Sequence, residues 1–207
     1  MDSAASNPTA DISYLHGHEQ AAKIVITGAF GVGKTTFIDS MSEIRPLRTE
    51  EQMTAASVGT DDLEGLPEKT TTTVAMDFGR LSLTDDLVLY LFGAPGQKRF
   101  QNFLSDLTSG ALGALVLVDP RRLSDPQRLG ESYDVIDRLE ELGLTYAVAV
   151  NTFPEAPAYS MEQLRGAMDL PPDTPLVFCD ARDRRSSRDA LICLVEYLLT
   201  RHSELAR

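Results

Sequence analysis

Gly28-Ala29-Phe30-Gly31-Val32-Gly33-Lys34-Thr35 leaves this chain few choices of fold, because the pattern G-x-x-x-x-G-K-[ST] has a physical use only as a turn between a buried strand and a helix. Its flanks agree. Lys23-Ile24-Val25-Ile26-Thr27 reads as a buried strand entering the turn, and Thr35 to Met41, with Phe37, Ile38 and Met41 apolar, reads as the helix leaving it. Such a loop binds a nucleoside triphosphate: its N–H groups cradle the α- and β-phosphates, Lys34 reaches the β- and γ-phosphates, and the Thr35 hydroxyl ligates Mg²⁺. The phosphate-binding set is therefore Gly28, Ala29, Phe30, Gly31, Val32, Gly33, Lys34, Thr35 and Thr36.

Beyond the loop, strand-like apolar runs alternate with amphipathic helical ones, which predicts an α/β P-loop NTPase: a six-stranded, mostly parallel sheet with helices on both faces. Strands are expected at 23 to 28, 73 to 83, 87 to 92, 112 to 119, 145 to 151 and 175 to 179, and helices near 34 to 44, 98 to 109, 126 to 142, 160 to 169 and 187 to 203. Gly143 marks a helix stop. Thr84-Asp85-Asp86 is a tight turn, so the second and third strands form a hairpin that leaves one antiparallel strand at the sheet edge. Residues 45 to 72 show little periodicity and read as a long loop, either a segment that responds to the γ-phosphate or a surface insertion.

With 207 residues, 43% of them hydrophobic, the chain can bury one full core. Residues 1 to 20 read as a disordered leader and 21 to 207 as the P-loop domain. Nineteen Lys and Arg against 31 Asp and Glu give a net charge of −12, which argues against nucleic acid or an anionic membrane as a direct partner. Cys179 and Cys193 lie in apolar segments without metal-ligand spacing, as buried thiols of a reduced, cytoplasmic protein do. No apolar run reaches membrane-span length, so any membrane attachment is expected through a partner.

Three features together resemble a Ras-like small GTPase over about residues 22 to 203: the loop, the Thr-led strand Lys69-Thr70-Thr71-Thr72-Thr73-Val74-Ala75-Met76-Asp77-Phe78-Gly79, and Leu89-Tyr90-Leu91-Phe92-Gly93-Ala94-Pro95-Gly96-Gln97. The Pro-Gly-Gln form is similar to the bacterial MglA-like branch. Within it, the long threonine-rich segment and the later Cys179-Asp180-Ala181-Arg182 resemble the actinobacterial conservon GTPases. The resemblance implies that Thr73 meets Mg²⁺ and the γ-phosphate, that the Gly96 N–H meets the γ-phosphate, and that Gln97 orients the attacking water. Gly93 stands where such GTPases carry a metal-supporting aspartate, so magnesium is expected to rely on Thr35, Thr73, phosphate oxygens and water.

Val148-Ala149-Val150-Asn151-Thr152-Phe153-Pro154 occupies the place of the guanine-reading Asn-Lys-x-Asp. Asn151 is kept, Thr152 replaces the lysine, and Pro154 replaces the aspartate that pairs with guanine N1 and N2, which weakens discrimination against adenine. Glu155 is one residue off. Asp180-Ala181-Arg182 matches the Ser-Ala-Lys loop, so the Ala181 N–H is expected at the base O6 and Arg182 stacked on the base. GTP or GDP is thus the expected nucleotide, with ATP still open.

Lys34 and Gln97 are the expected catalytic residues, and no cis arginine is evident in the sequence. Lys98 and Arg99 are the cations nearest Gln97 and read as the solvated start of a helix; Arg121-Arg122 and the arginines from Arg182 to Arg188 interleave with acids and read as mixed-sign surface. Two readings stay open. One is a slow Mg²⁺-dependent GTPase switch whose partners, by resemblance, are a Roadblock/LC7-type protein and a membrane histidine-kinase-like complex; the other is a degenerate P-loop module that holds GTP or ATP without useful turnover.

Overall fold

The computed structural model describes residues 20–53, 72–95 and 101–205. In chain order they form β1 (Gln20–Thr27), α1 (Lys34–Met41), β2 (Leu47–Met53), β3 (Thr72–Thr84), β4 (Leu87–Gly93), α2 (Gln101–Thr108), β5 (Gly113–Val118), a 3₁₀ turn (Pro120–Arg122), α3 (Pro126–Glu141), β6 (Tyr146–Asn151), α4 (Met161–Ala167), β7 (Leu176–Cys179) and α5 (Arg184–Leu205). Gln20, placed by composition at the end of a leader, is the first residue of β1. The remainder of that leader lies outside the described residues.

All six expected strands form, and a seventh extends the sheet, whose order is β2-β3-β4-β1-β5-β6-β7. β3 is antiparallel to both neighbours and the other pairings are parallel, so the antiparallel strand lies second from the edge rather than at it. β2 arises in the segment expected to be loop. Its cause lies in β3: β4 pairs only with Asp77 to Thr84, and the backbone of Thr72 to Met76 would lack ladder partners there. Backbone N–H and C=O groups need partners, and β2 supplies them from Leu47 opposite Phe78 to Met53 opposite Thr72. A polar, non-alternating sequence such as Leu-Arg-Thr-Glu-Glu-Gln-Met becomes a strand because the overhang recruits it.

Alternating residues of the central strands enter two cores. Ile24, Ile26, Leu115, Leu117, Ala147 and Ala149 pack with Phe37, Ile38 and Met41 of α1 and Ala190, Leu191 and Leu194 of α5. Val25, Ala114, Val116, Val118, Val148 and Val150 pack on the other face with Leu104 and Leu107 of α2, Ile136 and Leu139 of α3, and Leu164 of α4. β5 and β6 are buried throughout, as central parallel strands covered on both faces must be.

Two helix ends differ from the periodic pattern, each for a local reason. α1 stops at Met41 rather than near 44 because the next residues turn to β3: Glu43 N–H donates to Arg80 O at 2.8 Å, and the Ser42 hydroxyl to Ile44 O at 2.7 Å. α5 starts at Arg184 because Asp183 accepts the Arg185 N–H at 2.7 Å and sets the first turn. Gly143, at φ +64, ends α3 as expected. No helix among the described residues is long and apolar enough to cross a membrane, and both cysteines are free thiols.

Candidate functional site

The C-terminal end of β1 runs directly into the glycine loop, and the loop into α1, so the fold sets the loop at the carboxyl edge of the sheet. Glycine is required at two of its positions. A Cβ on Gly28 (φ +135) would lie 2.2 Å from Leu117 O, and one on Gly33 (φ +104) 2.6 Å from the Asn151 Nδ2. Gly33 caps α1 without a side-chain hydrogen bond, and the first turn carries no acid. The first N–H groups of the helix and its dipole therefore face the loop, an arrangement suited to an anion. Ala29 and Val32 are buried, Phe30 is 65% exposed, and Thr36 lies exposed in the first turn of α1.

Lys34 curls back over this loop. Its Nζ donates to Gly28 O at 2.9 Å and Ala29 O at 2.8 Å, inside the curve where a phosphate would lie. Burial pulls the ammonium from its ordinary 10.5 down to about 8, against the pull of the Asp77 carboxylate and with a further push from Arg122.

Beside it, the Thr35 hydroxyl donates to Asp77 Oδ2 at 2.5 Å. Asp77 lies on β3 directly opposite Gly93 of β4. A Cβ at Gly93 would meet the Asp77 Cβ at 3.0 Å, so the two positions share one volume and only one can carry a side chain comfortably. The carboxylate thought lost at Gly93 is therefore present, delivered from the neighbouring strand. A hydroxyl and a carboxylate in contact at the loop's end form the hard-oxygen pair that Mg²⁺ takes when phosphates complete its shell. Among the described residues no group of three or more His, Cys, Asp and Glu could hold a metal without such help.

Residues 26–201 match the family described as conserved hypothetical ATP binding protein. The chain belongs to that family. It is 28% identical over 130 residues to an uncharacterised protein of Methanocaldococcus jannaschii, covering 62% of this chain and 68% of the relative. Among solved structures it is similar to the G domain of the FeoB iron transporter of T. maritima, with a TM-score of 0.56, 16% identity, and coverage of 86% of this chain and 99% of that one. Family and loop make this chain a P-loop nucleotide-binding protein, and its fold is similar to that of a G domain.

In this family member the base-side residues are drawn together differently from the expectation. Asn151, 4% exposed at the end of β6, donates from Nδ2 to Val32 O at 2.9 Å and accepts the Ala181 N–H on Oδ1 at 3.0 Å. The Ala181 N–H, expected at a base O6, is thus taken up by Asn151. Arg182 also departs from expectation: it folds onto Asp180, Nε and Nη2 donating at 2.9 and 2.8 Å, rather than reaching across a base. That exchange holds the half-buried Asp180 carboxyl below the usual carboxylate range. Thr152 is exposed, its N–H donating to Cys179 O at 2.8 Å.

Thr73 lies on β3 within the β2 ladder. In β3 it pairs with Gln52, four residues before Asp77, which is ~13 Å along an extended strand. Gly96 and Gln97 lie outside the described residues, as do Lys98 and Arg99.

Sequence reasoning missed two residues. Asp77 was read only as part of a threonine-led strand; its signal was a carboxylate within an otherwise apolar and Thr-rich run, on the strand hairpinned to the one that lacks its aspartate. Arg122 was grouped with solvated charge, yet its Nη2 lies 3.2 Å from where a Cβ on Gly31 would stand. The sequence signal was its place: the arginine pair follows at once on the buried β5.

Proposed function

We propose that the chain is a Mg²⁺-dependent GTPase of slow intrinsic turnover, a nucleotide-dependent switch of the MglA-like, conservon type. The observation that carries this reading is the Thr35–Asp77 contact opposite Gly93, which restores a hydroxyl–carboxylate pair at the end of a loop that already holds Lys34. Lys34 exchanges the Gly28 and Ala29 carbonyls for phosphate oxygens, regaining a full counter-charge in a buried place. Thr35, held in one rotamer by Asp77, would hold Mg²⁺ on the side of β3 and β4. Bound there, Mg²⁺ would supply neutralisation of the phosphate charge. Gln97 orients the attacking water, by resemblance. The segments 45 to 73 and 93 to 109 pass the nucleotide state to partners, for which a Roadblock/LC7-type protein and a membrane histidine-kinase-like complex are the expected ones.

A second reading has its own support. Asn151 occupies the Ala181 N–H, and Pro154 offers no carboxylate to a guanine edge, so the site could hold ATP, as the family description has it, or hold GTP without cleaving it. Denaturing the purified protein and separating the released nucleotide by ion exchange, followed by single-turnover assays with GTP and ATP, distinguishes the two. GTP or GDP in the eluate and γ-phosphate release that Gln97→Leu slows without loss of affinity support the switch. Adenine nucleotides, or uncleaved GTP with equal behaviour of Gln97→Leu, select the second reading.

A further inference from the structure

Four cations and acids crowd the exit of β5, and they divide into a locked pair and a loose one. Asp119, 2% exposed, accepts the Arg121 N–H and its Nε at 3.0 Å and its Nη2 at 2.7 Å. Burial alone would raise this carboxyl, but the Arg121 contacts outweigh it and hold Asp119 below the usual carboxylate range. Arg121 also stacks on Phe153, its guanidinium carbon 3.6 Å from the ring centroid. Arg122 is held far more weakly: Nε lies 3.4 Å from Asp119 and Nη1 3.8 Å from Glu131. Its Nη2 points to the glycine loop at Gly31, where φ is +77.

We propose that Arg122 is a phosphate-binding residue, a second cation of the nucleotide site that reaches the α- and β-phosphates from the β5 side of the loop. The proposal rests on the reading that this loop binds a nucleoside polyphosphate. Topology sets which phosphates are meant. In the sheet order, β4 and β3 with Asp77 flank β1 on one side, and β5 with Arg122 flanks it on the other. Thr35 and Asp77 define the metal and γ-phosphate side, so a guanidinium against Gly31 from β5 faces the opposite end of the polyphosphate. Two like charges, Lys34 and Arg122, set against the same glycine loop, are unfavourable without an anion between them and favourable with one. The planar guanidinium suits two phosphate oxygens, and the loose contacts to Asp119 and Glu131 hold it in place until they are exchanged.

Titration of fluorescent GDP and GTP against the full chain and its Arg122→Gln, Arg122→Lys and Glu131→Gln variants tests this, with single-turnover hydrolysis at saturating GTP alongside. Loss of a charged hydrogen bond should weaken GDP and GTP equally, by about tenfold to a hundredfold in Arg122→Gln. Arg122→Lys should lie between, and Glu131→Gln should bind about 2 to 5-fold tighter by freeing the guanidinium. Wild-type affinity in Arg122→Gln overturns the proposal. So does a slowed chemical step at unchanged affinity, or a loss as large for competing guanosine as for GDP. Should Arg122→Gln fail to fold, Arg122→Lys and Glu131→Gln decide alone, and wild-type affinity in both overturns it. A wild-type protein that binds neither guanine nor adenine nucleotides overturns the functional reading itself, and the arginine's role with it.

Discussion

On the β3–β4 flank of the loop, the carboxylate missing at Gly93 is supplied by Asp77 in the paired position of the next strand. On the β6–β7 flank, Pro154 leaves a gap that no described residue fills in the same way: Glu155 is exposed and bears on Arg121, and the Ala181 N–H has gone to Asn151. The contrast follows from backbone type. Strands in register hold two residues at one height, so a side chain can move across the ladder and keep its address. Loops offer no fixed partner position, and a residue lost from one is not replaced by its neighbour.

The comparison breaks first at Lys34. Lys34→Ala should lower triphosphate affinity by at least about a hundredfold, the upper range for a charge-assisted contact, with thermal stability kept; calorimetric titration at wild-type affinity would take the loop out of nucleotide binding altogether. Asp77→Ala comes next, with Mg²⁺-dependent GTP affinity falling about tenfold to a hundredfold as a supporting carboxylate is lost. Gly93→Asp alone should destabilise by about 1 to 3 kcal/mol, because its Cβ would meet Ile38 Cδ1 at 2.9 Å and Asp77 Cβ at 3.0 Å. Combining Gly93→Asp with Asp77→Gly, which removes the opposing Cβ, should relieve that part of the crowding and restore part of the metal dependence. A double variant no better than Asp77→Ala would mean that the two strand positions are not interchangeable.

A weaker effect is pH. With Lys34 at about 8 in the free protein and 10.5 when unfolded, raising the pH from 8 toward 10.5 deprotonates the native state first, so Lys34 adds stability across that window while the cation that binds phosphate is lost. Nucleotide affinity should therefore fall, by up to about tenfold per pH unit, as the melting temperature contribution of Lys34 rises. Asp77 and Arg122 face this ammonium from β3 and the β5 exit. Equal pH profiles for wild type and Lys34→Ala would contradict the assignment. The smallest change expected is on the other flank: Pro154→Asp should raise preference for GTP over ATP by about tenfold, or roughly 1.4 kcal/mol, in a competition assay. A wild type already selective by more than about a thousandfold would mean that the loop reads guanine by other means.

How far the sequence could be read followed the same division. Local signals found the loop, the two-residue turn at Asp85 and Asp86, and the stop at Gly143, since each depends on a few adjacent residues. β2 was invisible, because its cause is the unpaired overhang of β3 and not its own composition. The Asp77 contact with Thr35 was equally invisible, because it depends on the register of β3 against β4 and on no local motif. A threonine run that opens a strand looks the same whether the strand begins there or is extended by a neighbour, and here the β2 ladder extends β3 through Thr73.

Asn151 ties the glycine loop, at Val32, to the turn that begins at Ala181, through the two ends of a single amide. Fixing a backbone residue costs about 1 to 2 kcal/mol of entropy, and here much of that ordering is already met during folding. A nucleotide on the loop would then meet Val32 and Ala181 already held relative to each other. Binding enthalpy should accordingly climb with each added phosphate and change little with whatever ring stands on the ribose.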